Sequence, residues 1–186
     1  MRKVLFIAVL VLLCGSFAVA QDYPKGEFYA GYMYTHVDTG NSGIDSSWPE
    51  GFNLNGTYYF MKDVGLTGDF SYATKSFAGG TDAHLYGFNF GPQFKMRSGR
   101  LEPFAHALFG ATHGSASGTG SGSNPSDTAF SMKLGGGLDV AVAHHFAVRL
   151  GEFDYYYTRF SSTGNFSING QNSQNNYTFG AGIVIR

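Results

Sequence analysis

The chain has 186 residues, 43% of them hydrophobic and 17% aromatic, with one cysteine and Lys/Arg 12 against Asp/Glu 13 for a net charge of −1. A lone cysteine excludes a disulfide-stapled scaffold, and a slightly acidic balance argues against a nucleic-acid partner, which needs a basic patch. The length suits one domain.

In chain order, Arg2 and Lys3 precede an apolar run from Val4 to Leu13, and Ala18-Val19-Ala20 offers small residues around a cut before Gln21. This pattern predicts a secretory signal peptide over residues 1–20 and a mature domain over residues 21–186. Lipoprotein processing at Cys14 is disfavoured because Leu13 before it is not small. After the predicted cut the chain has no cysteine and keeps Lys/Arg 10 against Asp/Glu 13, a net charge of about −3. No later apolar stretch approaches the ~20 residues of a membrane-spanning helix, so membrane crossing would be by strands.

The mature segment alternates apolar and polar residues in stretches near Glu27–Val37, Gly51–Phe60, Val64–Thr74, His84–Met96, Leu101–His113, Thr128–Val142, Phe146–Phe160 and Gln174–Arg186. Each is long enough to cross a bilayer at a tilt, which takes about 9–11 residues. The second, fourth and sixth end in the tight connections Met61–Asp63, Arg97–Arg100 and Ala143–His145. The other connections are expected to be longer. Two of them, His113–Asp127 and Ser161–Ser173, are almost wholly Gly, Ser, Asn and Thr. An even strand count with one set of short turns and one of long loops predicts an all-β fold, an eight-stranded antiparallel up-and-down transmembrane β-barrel. Its termini would be periplasmic and its long loops extracellular, in the outer membrane of a Gram-negative bacterium.

Parity sorts the side chains. Tyr86, Phe88, Phe90, Pro92 and Phe94 fall on one face of the fourth strand, and Leu85, Gly87, Asn89, Gly91, Gln93 and Lys95 on the other. The apolar face is assigned outward, with tyrosines and phenylalanines near strand ends as in interfacial girdles. The inward face carries Glu27, Asp69, Lys75, Lys95, Glu102, Lys133, Asp139, Arg149, Asp154 and Arg186. Arg149 and Asp154 have opposite parity, so a β-bulge near Gly151-Glu152 is needed to bring both inside. Eight strands leave room for side chains, not for a wide channel. The expected lumen is therefore an ionic network of Asp69, Lys95, Glu102, Lys133, Asp139, Arg149 and Asp154. Inward glycines such as Gly31, Gly65, Gly135 and Gly180 make room for large neighbours, among them Tyr29, Tyr59 and Phe104. Trp48, Phe166 and Ile168, placed in loops and read as exposed, are candidate partner contacts.

Signals for chemistry are weak. His113-Gly114-Ser115 has the His-x-Ser spacing of lipid A deacylases, with both side chains outward, but Ala116 follows the serine where those enzymes have Asn, and no orienting acid is near. His106 is inward and positioned to hydrogen-bond in the network. No third ligand converges on a histidine pair, and Asp38, Asp45 and Asp127 are too scattered for a calcium motif, so no metal or cofactor is expected.

Several segments together carry a resemblance: Glu27-Phe-Tyr-Ala-Gly-Tyr-Met-Tyr34, Gly65-Leu-Thr-Gly-Asp-Phe70, Gly91-Pro-Gln-Phe94, Pro103-Phe-Ala-His-Ala-Leu-Phe-Gly110, Gly135-Gly-Gly-Leu-Asp139, Val148-Arg-Leu150 with Asp154-Tyr155, and Gly180-Ala-Gly-Ile183. In order and spacing they resemble the OmpA/OmpX-like outer-membrane β-barrel domain family, in its small single-domain acidobacterial form. The resemblance implies structural surface proteins, adhesins or narrow pores rather than a reaction. Unlike the family's usual aromatic end, this chain ends Ile183-Val-Ile-Arg186, and a cell-wall tether through a peptidoglycan-binding domain is not expected. The expected partners are outer-membrane lipids and lipopolysaccharide, with the barrel-assembly machinery during insertion, and the expected state is a monomer. The leading functional expectation is a structural or surface-interaction barrel; the alternatives are a low-conductance pore and, less favoured, a lipid A-modifying enzyme.

Overall fold

Proline, glycine and short polar turns punctuate this chain, and β-rich runs of aromatic and branched residues lie between them. The computed structural model describes residues 23–38, 47–77, 80–118, 126–160 and 173–186. The strands are β1 (Gly26–His36), β2 (Ser47–Trp48), β3 (Glu50–Tyr59), β4 (Val64–Phe77), β5 (Thr81–Lys95), β6 (Leu101–Gly118), β7 (Ser126–Ala143), β8 (Phe146–Arg159) and β9 (Ser173–Ile185). The predicted signal peptide, and Asp45, Phe166 and Ile168, lie outside the described residues.

From β3 onward each strand pairs antiparallel with the next, and β1 closes on β9 from Phe28↔Ile185 to His36↔Tyr177. β2 is not a separate stave. It continues the line of β3 along the same flank of β1, with Trp48 opposite Thr35 and Phe52 opposite Tyr32. Pro49, which has no N–H for the ladder, interrupts the two. The result is a closed cylinder of eight staves, the arrangement that leaves no unpaired edge where water is absent.

The three tight connections form as the sequence predicts. Met61 and Val64 exchange backbone hydrogen bonds of 3.2 and 3.4 Å, Gly99 takes the left-handed φ of 97°, and His144-His145 turns between β7 and β8. At the other end the hairpins reach further than expected. β4 and β5 pair up to Phe77↔Thr81, so the connection expected to be a long loop is only residues 78–80, and the Gly80 N–H donates to the Phe77 carbonyl at 3.3 Å. β6 likewise continues through the Gly/Ser-rich stretch to Gly118, with Ser115 opposite Ser126. These small polar residues lack a strand-like pattern, and the ladder with their neighbours overrides their weak preference.

Side chains alternate without exception along β5 from Gly87 to Lys95. Phe88 and Phe90 are 63% and 57% exposed on the outside, whereas Asn89, Gln93 and Lys95 are buried within. Outward rings touch across strands, Phe70 to Phe88 at 4.8 Å and Tyr72 to Tyr86 at 5.0 Å between centroids. Such cross-strand aromatic pairs each stabilise a sheet by roughly 0.2–1 kcal/mol. In β8 the register shifts between Arg149 and Glu152, leaving Leu150 and Gly151 together on the outside. That bulge is what brings Arg149 and Asp154 to the same interior face.

Candidate functional site

Because the outside is an apolar belt, the charged and polar groups that distinguish this molecule are in the lumen, where the described residues group at three levels. At the turn end, Lys95 from β5 bridges Glu27 of β1 and Asp139 of β7, the latter at 2.7 Å. Asp139 accepts from Arg149 Nε at 2.8 Å, and Arg149 Nη1 reaches Glu152 at 2.8 Å. The Arg149 guanidinium lies between the rings of Tyr29 and Phe104, 4.1 and 4.0 Å from their centroids. Arg186 pairs with Glu102 and, at 3.1 Å, with Glu27; Arg97, over the Tyr59 ring, also reaches Glu27 at 3.2 Å.

In the middle, Lys133 Nζ donates to Asp69 at 2.5 Å, Ser131 donates to Asn89 at 2.7 Å, and Thr112 and Tyr156 share a hydrogen bond. His106 from β6 meets Asp154 from β8 at 2.9 Å and stands 3.8 Å from Glu152. Gly135 of β7 is the register partner of both His106 and Asp154, and a Cβ there would collide with the Asp154 carboxylate and the neighbouring backbone. The glycine is thus required for the two side chains to meet over it. Charges taken this far from water are costly unless paired, and each of these carboxylates has a cationic or histidine partner.

The loop end is packed differently. Trp48, Met33, Val37, Ala73, Ala83 and Leu85 form an apolar cluster against which Phe77 and Ala116 pack, and Trp48 meets Phe77 edge-on at 6.2 Å. Here the sequence reading needs correction: Trp48 is 5% exposed. It is a core residue because β2 pairs with β1 and turns the indole inward, so it is no exposed partner contact. Lys75, read as inward, is half-buried in the same region and donates to the Ser47 carbonyl at 2.5 Å.

Two interior charges escaped the sequence reading. Glu152 adjoins the bulge, and its even parity with Asp154 places it inside. Arg97, read as part of a tight turn, folds back into the lumen mouth. Glu152 also completes a cluster that does not rest on a histidine pair, since donor atoms of His106, Glu152 and Asp154 all lie within 4.8 Å of one another. His113 and Ser115 do share the outer side of β6, where the His113 ring is bonded to Thr128 at 2.9 Å. His84 is bonded to Tyr72 and Thr74 at 2.9 and 3.0 Å.

A closed cylinder of eight antiparallel staves, apolar outside and polar within, defines the molecule as a transmembrane β-barrel. The chain matches the family of outer membrane protein beta-barrel domains over residues 7–186, and it belongs to that family. It is 28% identical over 159 residues to the "Attachment invasion locus protein" of Yersinia pseudotuberculosis serotype I (strain IP32953), covering 80% of this chain and 85% of the relative. Among solved structures it resembles Ail, the attachment invasion locus protein of Yersinia pestis, with TM-score 0.61 and 23% identity over 86% of this chain and 97% of that one. Neisserial surface protein A is similar too, with TM-score 0.64 and 16% identity over 89% of this chain and 99% of that one. At those identities the structural likenesses speak for the fold. A second structure of Ail, with the heparin analogue sucrose octasulfate, has TM-score 0.59 and 25% identity over 87% of this chain and 99% of that one.

Proposed function

We propose that this protein is a non-enzymatic surface barrel: the staves anchor it among outer-membrane lipids and lipopolysaccharide, the packed lumen stiffens it, and its long loops meet an external partner. In this reading residues 1–20 are a cleaved export signal, the barrel-assembly machinery inserts the mature chain as a monomer, the termini are periplasmic and the loops extracellular. The observation that carries the surface role is the similarity to an attachment protein over most of both chains. Phe166 and Ile168 remain the apolar loop residues proposed to touch the partner.

The loop end also bears on what that partner is. Around it the sequence places Asp38, Asp45, Glu50, Asp82 and Asp127 against Lys75 and Arg159. An acidic rim repels a sulfated polysaccharide, so the ligand class seen with Ail is not carried across; a basic or apolar partner surface fits better. Displaying the protein on an adhesin-free bacterium tests this. Adhesion should be gained over the empty host, should fall when residues 161–172 are replaced by a short turn in a barrel that still assembles, and should not be competed by heparin. A gain that survives that replacement, or that heparin abolishes, overturns the reading.

The ion-pair network supports a closed lumen over the pore alternative, because conduction would require several paired charges to separate together. Planar-bilayer recording should be silent for the wild type, and steps that change in Lys133→Ala or Arg149→Ala would establish the pore instead. Lipid A should keep its mass on overexpression. A change in acyl number would revive His113 and Ser115 as a catalytic pair.

A further inference from the structure

The ion pairs at the turn end form one connected run: Glu102 to Arg186, Arg186 to Glu27, Glu27 to Arg97 and Lys95, Lys95 to Asp139, Asp139 to Arg149, Arg149 to Glu152, and on through His106 to Asp154. That run holds five carboxylates and four permanent cations, and with His106 neutral it is one positive charge short. The shortfall falls at the His106 end, since every other carboxylate of the run touches Lys or Arg.

At that end the carboxylates are held from behind. Glu152 Oε2 is occupied by Arg149 at 2.8 Å and Asp154 Oδ2 by Thr178 at 3.2 Å. Their other oxygens point at one another's neighbourhood: Asp154 Oδ1 is 2.9 Å from His106 Nε2, and Glu152 Oε1, on a residue 4% exposed, has no hydrogen-bond partner and stands 3.8 Å from the same nitrogen. Ligands bound at about 2.0–2.1 Å around a tetrahedral ion stand about 3.3 Å apart, a spacing that the 2.9 and 3.8 Å separations bracket. Outer partners that fix one oxygen and free the other are how proteins orient metal ligands.

We infer that His106 Nε2, Glu152 Oε1 and Asp154 Oδ1 form a binding site for a first-row transition dication, held in the lumen between β6 and β8. One imidazole nitrogen and two carboxylate oxygens suit zinc, manganese or ferrous iron; calcium and magnesium take oxygen ligands alone. The three ligand residues are each buried, so the ion is expected to enter as the barrel closes. Gly135 keeps the space, because a side chain there would strike Asp154 before any ion did.

The test is to refold the tag-free protein into detergent micelles with Co2+ or Zn2+, remove free metal by gel filtration, and measure metal per folded chain, the folded fraction being read from the mobility of unheated samples on SDS gels. One ion per folded chain is expected, with a Co2+ absorption spectrum of nitrogen and oxygen ligation. His106→Gln and Glu152→Gln should each lower the retained metal at least about tenfold per folded chain, while the turn variant His144→Ala/His145→Ala retains it. The inference is overturned if the folded wild type retains no stoichiometric metal, or if retention survives His106→Gln and disappears with His144→Ala/His145→Ala. If neither interior variant folds, Co2+ titrated during wild-type refolding still decides, because absence of its ligand-field spectrum rejects the site.

Discussion

At the loop end the interior side chains are apolar, Trp48, Met33, Leu85 and their neighbours; at the turn end they are Lys95, Arg149 and the carboxylates they join. The first kind of packing works by removing hydrocarbon from water and tolerates changes of partner. The second works only if every charge meets its counterpart, since a buried carboxylate left alone is more costly than an apolar residue in its place. The difference teaches that the interior of one narrow cylinder can be packed by two unrelated forces, and that the ends should respond differently to substitution.

The largest effect is expected from Arg149→Ala, which leaves Glu152 without a cation, takes one of its two cations from Asp139 and removes the guanidinium from between Tyr29 and Phe104. A loss of roughly 3–5 kcal/mol in urea unfolding from lipid vesicles is predicted, and a loss under about 1 kcal/mol would show that the turn end is not held by these pairs. Next, Trp48→Ala should cost roughly 3 kcal/mol by cavity formation, with the same loss at low and high salt. A salt-dependent loss would blur the contrast between the ends. The middle level sharpens it: Asp69→Asn alone leaves Lys133 unpaired and should cost about 3 kcal/mol, whereas Asp69→Leu with Lys133→Met should return to within about 1 kcal/mol of the wild type. Losses of the single variants Asp69→Leu and Lys133→Met that simply add in the double variant would mean the pair is not coupled. Smallest of all, Tyr34→Phe removes the 2.8 Å bond to Ser47 that ties β2 to β1, for a predicted 0.5–1.5 kcal/mol, read in the same unfolding assay.

Much of the interior was legible from parity. Residues of β5 alternate cleanly, as do those of β7 from Thr128 to Leu134, and the same parity carried along each strand assigns Asn89, Gln93, Lys95, Lys133 and Asp139 inside from sequence alone. The opposite parity of Arg149 and Asp154 predicts the bulge, which lies at Leu150 and Gly151. Trp48 was misread because a two-residue strand after eight residues of low information carries no periodic signal. Glu152 is hidden because it adjoins the bulge, where parity resets, and Arg97 because a turn residue with a long side chain can reach back into the mouth of the barrel.

What the sequence by itself determined is local: a period of two, the places where the chain turns, and the face that meets lipid, because each depends only on neighbours along one strand. Which charges meet is decided by closure and register, which carry His106 to Asp154 across 48 residues of chain. Strand pairing through Gly135 sets that meeting, and no pattern along a single strand encodes it.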